Sequence, residues 1–150
     1  MVDVKKVPVD LLLKELSRKL SEDMGISKPD WTQYLKAGVH REKSWDDDNW
    51  YYIRLASILR KLYLRGRIGI SRLSSEYGGP VDSGSKRYHP SRGSRFIIRD
   101  MFHTLENLGL VAKQKEGRGL TAAGQKLLNE VAKEILTKLA ETNPELKKYL

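Results

Sequence analysis

The sixteen residues from Trp50 to Arg65 limit the possible folds more than any other segment of this chain. Asp46-Asp47-Asp48-Asn49 precedes them and Gly66 follows. Short acidic side chains favour the start of a helix and glycine favours its end, so the segment is predicted as one helix. Adjacent carboxylates lack the alternating spacing of a calcium loop, which leaves helix capping as the expected role of the triplet. Trp50, Leu55, Ile58, Leu59 and Leu62 recur at helical spacing and are predicted as core, with Tyr51 beside them. On another flank, Arg54, Ser57, Lys61 and Arg65 fall within about 80° of one another. The segment contains no Asp or Glu to pair with those cations one turn away. Such a helix must be packed along one side and leave a cationic face on the other.

The remaining elements follow from the same signals. Val9, Leu12, Leu13, Leu16 and Leu20 predict a first helix opened by Pro8 and ended by Gly25. A short helix is predicted from Pro29 to about Leu35, and residues 39–45 read as an irregular linker. Ile70 to Tyr77 reads as a two-turn helix closed by Gly78-Gly79. Residues 78–93 form a basic Gly/Ser/Pro-rich loop, too long for a plain connector. Ser94 can cap a helix with Phe96, Ile97, Met101, Phe102, Leu105 and Leu108 on its apolar face. Residues 110–112 and 119–121 flank a turn, as in a small hairpin, and Thr121 can cap a last long helix that Asn143-Pro144 breaks. No repeat and no second boundary is visible. The chain is therefore expected to be one mainly α domain over residues 1–150, with one small β-hairpin and a mobile polar tail at 141–150. Helix, short helix, helix and hairpin in that order indicate a winged-helix-like architecture.

Charge then narrows the function. The 28 Lys and Arg against 19 Asp and Glu give a net charge of +9. Residues 54–99 hold 11 of the basic residues and 2 of the acidic ones, so that window carries the whole excess. Arginine dominates it, and a concentrated arginine-rich field suits a phosphate-rich partner. The candidate contacts are Arg54, Ser57, Lys61 and Arg65 on the helix face, Arg67 at its exit, and Arg72 on the short helix. Lys86, Arg87, Tyr88, His89 and Arg92 follow in the loop, then Arg95 and Arg99 on the next helix. The loop combines cations, rings and hydroxyls, which suit phosphates, unpaired bases and sugars. Arg118 is expected at an exposed hairpin tip.

Other chemistries find no support. Without cysteine there is no disulfide, thiol nucleophile or iron–sulfur site. His40, His89 and His103 form no metal-binding pair, and His103 is expected to be a half-buried structural residue. No dinucleotide fingerprint, Walker loop or nucleophile elbow occurs. No apolar run is long enough to cross a bilayer, and no secretory core opens the chain. A soluble intracellular protein without enzymatic activity, cofactor or metal is the expectation. The element order by itself leaves two functions open, a DNA-binding regulator and an RNA-binding structural protein.

Specific motifs separate these two. Asn49-Trp50-Tyr51-Tyr52-x-Arg54-x-Ala56-Ser57, Leu62-Tyr63-Leu64-Arg65-Gly66 and Tyr77-Gly78-Gly79 occur in order. They are followed by Ser91-Arg92-Gly93-Ser94, Leu105-Glu106-x-Leu108 and Gly117-Arg118-x-Leu120-Thr121-x-x-Gly124. Together these runs resemble the family of small-subunit ribosomal protein nineteen, in the type shared by archaea and eukaryotes. The resemblance extends from about Pro8 to Leu136. It implies a winged-helix-like fold around the Trp50 helix and a place in the head of the cytoplasmic small ribosomal subunit. The implied partners are ribosomal RNA and neighbouring ribosomal proteins, with the chain itself a monomer in the ribosome. It also implies support for subunit assembly and precursor RNA maturation without RNA cleavage. Among the basic positions that match are Arg54, Arg60, Arg65, Arg92 and Arg118. The alternative, a winged-helix transcription regulator, predicts a dimer on a palindromic duplex. The helix in the recognition position, Ser94 to Leu108, shows no base-reading Asn or Gln before Asn107.

Overall fold

A computed structural model describes residues 3–150. Helix α1 (Val9–Arg18) follows Pro8, whose carbonyl accepts the Leu12 N–H at 3.1 Å. Leu12, Leu16 and Leu20 are fully buried, and a wider turn over Lys19–Asp23 extends the helix toward Gly25. The segment predicted as a second helix is a single 3-10 turn, Asp30–Gln33. Helix α2 (Trp50–Arg65) lies at the centre, packed against α1 and other elements of the core. Trp50, Leu55, Ile58, Leu59 and Leu62 are all buried, as their spacing predicts. Burying each of the aliphatic side chains contributes about 1.5–3 kcal/mol.

The start of α2 differs in detail from the capping reading. Asn49 makes no side-chain cap. Asp47 instead orders the approach, its side chain accepting the Asn49 N–H at 2.9 Å and its carbonyl the Trp50 N–H at 3.2 Å. The end follows expectation, since Gly66 adopts a φ of 83° and returns its N–H to Leu62 at 2.8 Å.

Strand β1 (Arg67–Ile68) and helix α3 (Ile70–Glu76) come next. The long basic loop then contains a second hairpin, formed by β2 (Gly79–Val81) and β3 (His89–Ser91) with Pro80 opposite Pro90. Prolines argue against strands in a sequence, yet a two-stranded ribbon tolerates them because each strand has a free edge. Helix α4 (Arg95–Asn107) is capped by Ser94, which accepts the Ile97 N–H at 3.4 Å, and it packs on α3. Strands β4 (Val111–Gln114) and β5 (Gly117–Leu120) form the predicted hairpin. Strand β1 adds to it, giving a three-stranded antiparallel sheet in the order β1-β5-β4. A two-residue strand carries too little periodicity to be seen in sequence.

Thr121 caps α5 (Ala122–Thr142), accepting the Gly124 N–H at 3.3 Å. The helix packs on α1 and α2, and Pro144–Tyr149 forms a final 3-10 run beside it. The succession α2, β1, α3, α4, β4, β5 is the winged-helix order, with α1 and α5 packed against its first helix. The fold is mainly α with a small β part, as expected.

Candidate nucleic-acid interface

The cationic face of α2 is present, but it is covered in part by the end of α3. Glu76 lies against it, with Oε2 2.9 Å from Lys61 Nζ and Oε1 paired with the Arg65 guanidinium. Ser57 Oγ is 2.7 Å from the Tyr77 hydroxyl. The Tyr77 ring receives two cations, the Arg54 guanidinium at 3.9 Å from its centroid and Lys61 Nζ at 4.5 Å. Burial pushes the Lys61 ammonium below the usual lysine range, helped by repulsion from Arg65, Arg54 and Arg60. Burial likewise raises the Tyr77 hydroxyl, against the Ser57 hydrogen bond and the Arg54 charge.

Arg54 differs from its neighbours on the face. No carboxylate pairs with it among the described residues. Burial lowers its pKa, only partly opposed by Tyr77, and repulsion from Arg41 adds to the lowering. It lies between Tyr77 and Trp45, whose ring centroid is 5.1 Å away, and Trp45 itself stacks on Trp50 at 3.9 Å. A cleft of about 620 Å³ opens here, lined by His40, Arg41, Lys43, Trp45 and Gly78 among others. His40 Nδ1 and Trp45 Nε1 are buried without a hydrogen-bond partner among the described residues. Burial, then Arg41 and Arg54, hold the His40 imidazole below the usual histidine range and favour its neutral form. The cleft thus presents a half-buried cation held between two aromatic rings beside buried polar atoms, a combination suited to an anionic ligand.

Sequence reasoning missed this second wall, because residues 39–45 read as a linker and His40 as an isolated histidine. The available signal was Trp45, an aromatic residue close ahead of Trp50. The structure brings several predicted pieces to the cleft. The base of the β2–β3 ribbon lines it, and Gly93 bridges Gly38. Gly93 N–H donates to Ser74 at 2.7 Å, and Ser94 N–H donates to Ala37 at 2.9 Å, tying the start of α4 to the same wall. Glycine is required at position 78, where a Cβ would overlap the Ser91 carbonyl oxygen across the ribbon base.

The other candidates divide into free and engaged groups. Arg72, Lys86, Arg87, Tyr88, His89, Arg92, Arg95 and Arg99 are all exposed. Arg95 and Arg99 stand one turn apart on α4. Arg67 is exposed and reaches Glu116 only at 3.9 Å. Arg60 is half-buried, with Nε lacking a hydrogen-bond partner among the described residues. Arg118 does not sit at an exposed hairpin tip. It belongs to β5, where its Nε donates to Glu106 at 2.8 Å and its guanidinium lies 5.1 Å from the Phe102 centroid. Its side chain is 13% exposed. His103 also departs from expectation, since its side chain is 60% exposed and lies 3.9 Å from Glu106. Along α4 it points away from the buried Met101, Phe102 and Leu105.

The family described as Ribosomal protein S19e matches residues 3–138. This chain belongs to the S19e family. Among its S19e relatives is the small ribosomal subunit protein eS19 of Thermoplasma acidophilum, 51% identical over 150 residues and covering 100% of both chains. The eS19 protein of Aeropyrum pernix is 40% identical over 153 residues with the same coverage. That of Myxine glutinosa is 37% identical over 134 residues, covering 89% of this chain and 92% of its own. The S19e motifs quoted from the sequence lie where the geometry concentrates: Arg54 and Tyr77 in the cleft, Ser91 to Ser94 at its edge.

Proposed function

We propose that this chain is a non-catalytic component of the cytoplasmic small ribosomal subunit that binds ribosomal RNA through its arginine-rich surface. The observation that carries the reading is Arg54, a half-buried guanidinium with aromatic neighbours and no carboxylate partner among the described residues, opening on a cleft in an S19e chain. An RNA phosphate would supply the missing charge, and Tyr77 and Trp45 orient the guanidinium to receive it. Arg72, Arg92, Arg95, Arg99 and the ribbon residues Lys86 to His89 would extend the contact along neighbouring phosphates. Recognition is mainly of RNA shape, because side chains read little from an A-form major groove. Arg118 acts through the fold rather than through direct contact. Within the subunit the chain is a monomer in the head, beside other ribosomal proteins, and it supports assembly and maturation of the precursor RNA. Family membership favours this reading over a duplex-DNA regulator.

Two measurements test it. Native extract fractionated on a gradient at moderate salt is expected to show the chain with small subunits; recovery in free fractions overturns the reading. Filter binding of a small-subunit ribosomal RNA transcript is expected to weaken in Arg95→Gln and Arg99→Gln. The slope of log affinity against log salt falls by about 0.7–0.9 for each phosphate contact removed.

A further inference from the structure

The charge that partly offsets the α2 face comes from outside the helix. Residues 54–99 include two acids, Asp82 and Glu76. Asp82 is exposed in the ribbon loop, where its Oδ1 accepts the Gly84 N–H at 3.0 Å. Glu76 ends α3 with its side chain 16% exposed and turned toward α2. One oxygen engages Lys61 and the other Arg65. Those cations stand one turn apart on the helix, and a carboxylate between them uses two oxygens to bridge two positive groups. A phosphodiester presents its two free oxygens to paired cations in the same manner.

We propose that Glu76 is an internal competitor for phosphate, occupying the Lys61–Arg65 fork in the free chain and leaving it when RNA engages both cations. The proposal rests on the RNA-binding reading of this surface and adds how access to it is controlled. With Glu76 in place, the three side chains present a net charge of one instead of two, so an ill-fitting RNA gains little from this part of the face. An RNA that delivers a phosphate in the right geometry displaces the carboxylate and gains both cations. Glu76 therefore weakens indiscriminate binding more than fitted binding, a selectivity built from an opposing interaction. Arg54, which has no carboxylate to displace among the described residues, is open to phosphate from the adjoining cleft without that step.

The test compares the full-length chain with Glu76→Gln, which keeps the shape of the side chain and removes its charge. Filter binding uses a small-subunit ribosomal RNA transcript and, separately, a random-sequence RNA duplex across a range of salt. For the duplex, Glu76→Gln is expected to steepen the slope of log affinity against log salt by about 0.7–0.9, the value of one more neutralised phosphate. Lowering salt from about 200 to about 50 mM then favours the variant over wild type by about three-fold. Glu141→Gln changes net charge equally at an exposed position on α5 and is expected to leave the slope unchanged. A wild-type slope in Glu76→Gln, or equal steepening in Glu141→Gln, overturns the proposal. Should Glu76→Gln melt early, the wild-type chain carries the test alone. The NMR signal of its Glu76 carboxylate carbon is expected to move on saturation with the transcript, and an unmoved signal refutes displacement. Wild-type chain that fails to bind the transcript at all sinks the RNA reading as well, an outcome distinct from normal wild-type binding with an unchanged slope in the variant.

Discussion

Replacing Arg118 with Met separates an arginine that holds the fold from those proposed to face RNA. Arg118 Nε donates to Glu106 at 2.8 Å, with the two side chains 13% and 24% exposed. Its guanidinium also lies over Phe102, a fully buried ring of α4. The contact joins β5 to α4 and so fixes the wing against the helix before it. Methionine keeps the length of the aliphatic stem and most of the packing, while Glu106 loses its charged donor and, among the described residues, keeps His103 at 3.9 Å. Leaving a partly buried carboxylate without its partner costs about 1.5–3 kcal/mol. At about 2–4 °C per kcal/mol for a chain of this size, the melting temperature is expected to fall by about 3–12 °C. Arg99→Met, on an exposed side chain of the same helix α4, is expected to change stability by less than about 0.5 kcal/mol and to weaken RNA binding. Thermal melting and filter binding on both variants give the comparison. If Arg118→Met melts like wild type yet loses RNA affinity as Arg99→Met does, Arg118 faces the RNA and the assignment made from its geometry is refuted.

Further predictions address the core, the ribbon and the buried tyrosine. Leu59→Ala in the fully buried centre of α2 is expected to cost about 2–5 kcal/mol, measured by urea unfolding, and to reduce RNA binding only where the chain unfolds. Gly78→Ala is expected to cost about 1–3 kcal/mol, because the ribbon base must shift to admit the Cβ beside Ser91; an unchanged melting temperature would contradict that close approach. Tyr51 is fully buried and donates to Asp100 at 3.2 Å, so Tyr51→Phe is expected to cost about 1–2 kcal/mol. Burial and then Asp100 push the Tyr51 hydroxyl up from 10.0 to about 12. The unfolded chain releases this proton first, so the stabilisation is complete below pH 10 and is lost as pH rises toward 12. Urea midpoints across that range are expected to fall less steeply in Tyr51→Phe than in wild type.

The sequence by itself determined the helical framework and the family. Apolar spacing marked Leu12, Leu16, Leu55, Ile58, Leu59 and Leu62 as core, and Gly66, Ser94 and Thr121 marked helix ends, because periodicity and capping are local properties of the chain. The ordered motifs around Trp50 and Arg118 marked the S19e type for the same reason. Burial and pairing are not local. Glu76 and Lys61 are separated by fourteen intervening residues, and their ion pair exists only because β1 and the turn at Gly66 fold α3 back onto α2. Arg118 looked exposed within Gly117-Arg118-Gly119, yet antiparallel pairing with β4 and β1 turns it toward Glu106. The β2–β3 ribbon was hidden by its prolines, and the His40–Trp45 wall by its lack of periodicity. Thus the positive window was legible in the order of residues, whereas the division between a half-buried Arg54, a fork held by Glu76 and an exposed row on α4 depended on the fold. A side chain's charge is written in the sequence, but its effective field depends on which partner and how much water the tertiary structure leaves beside it.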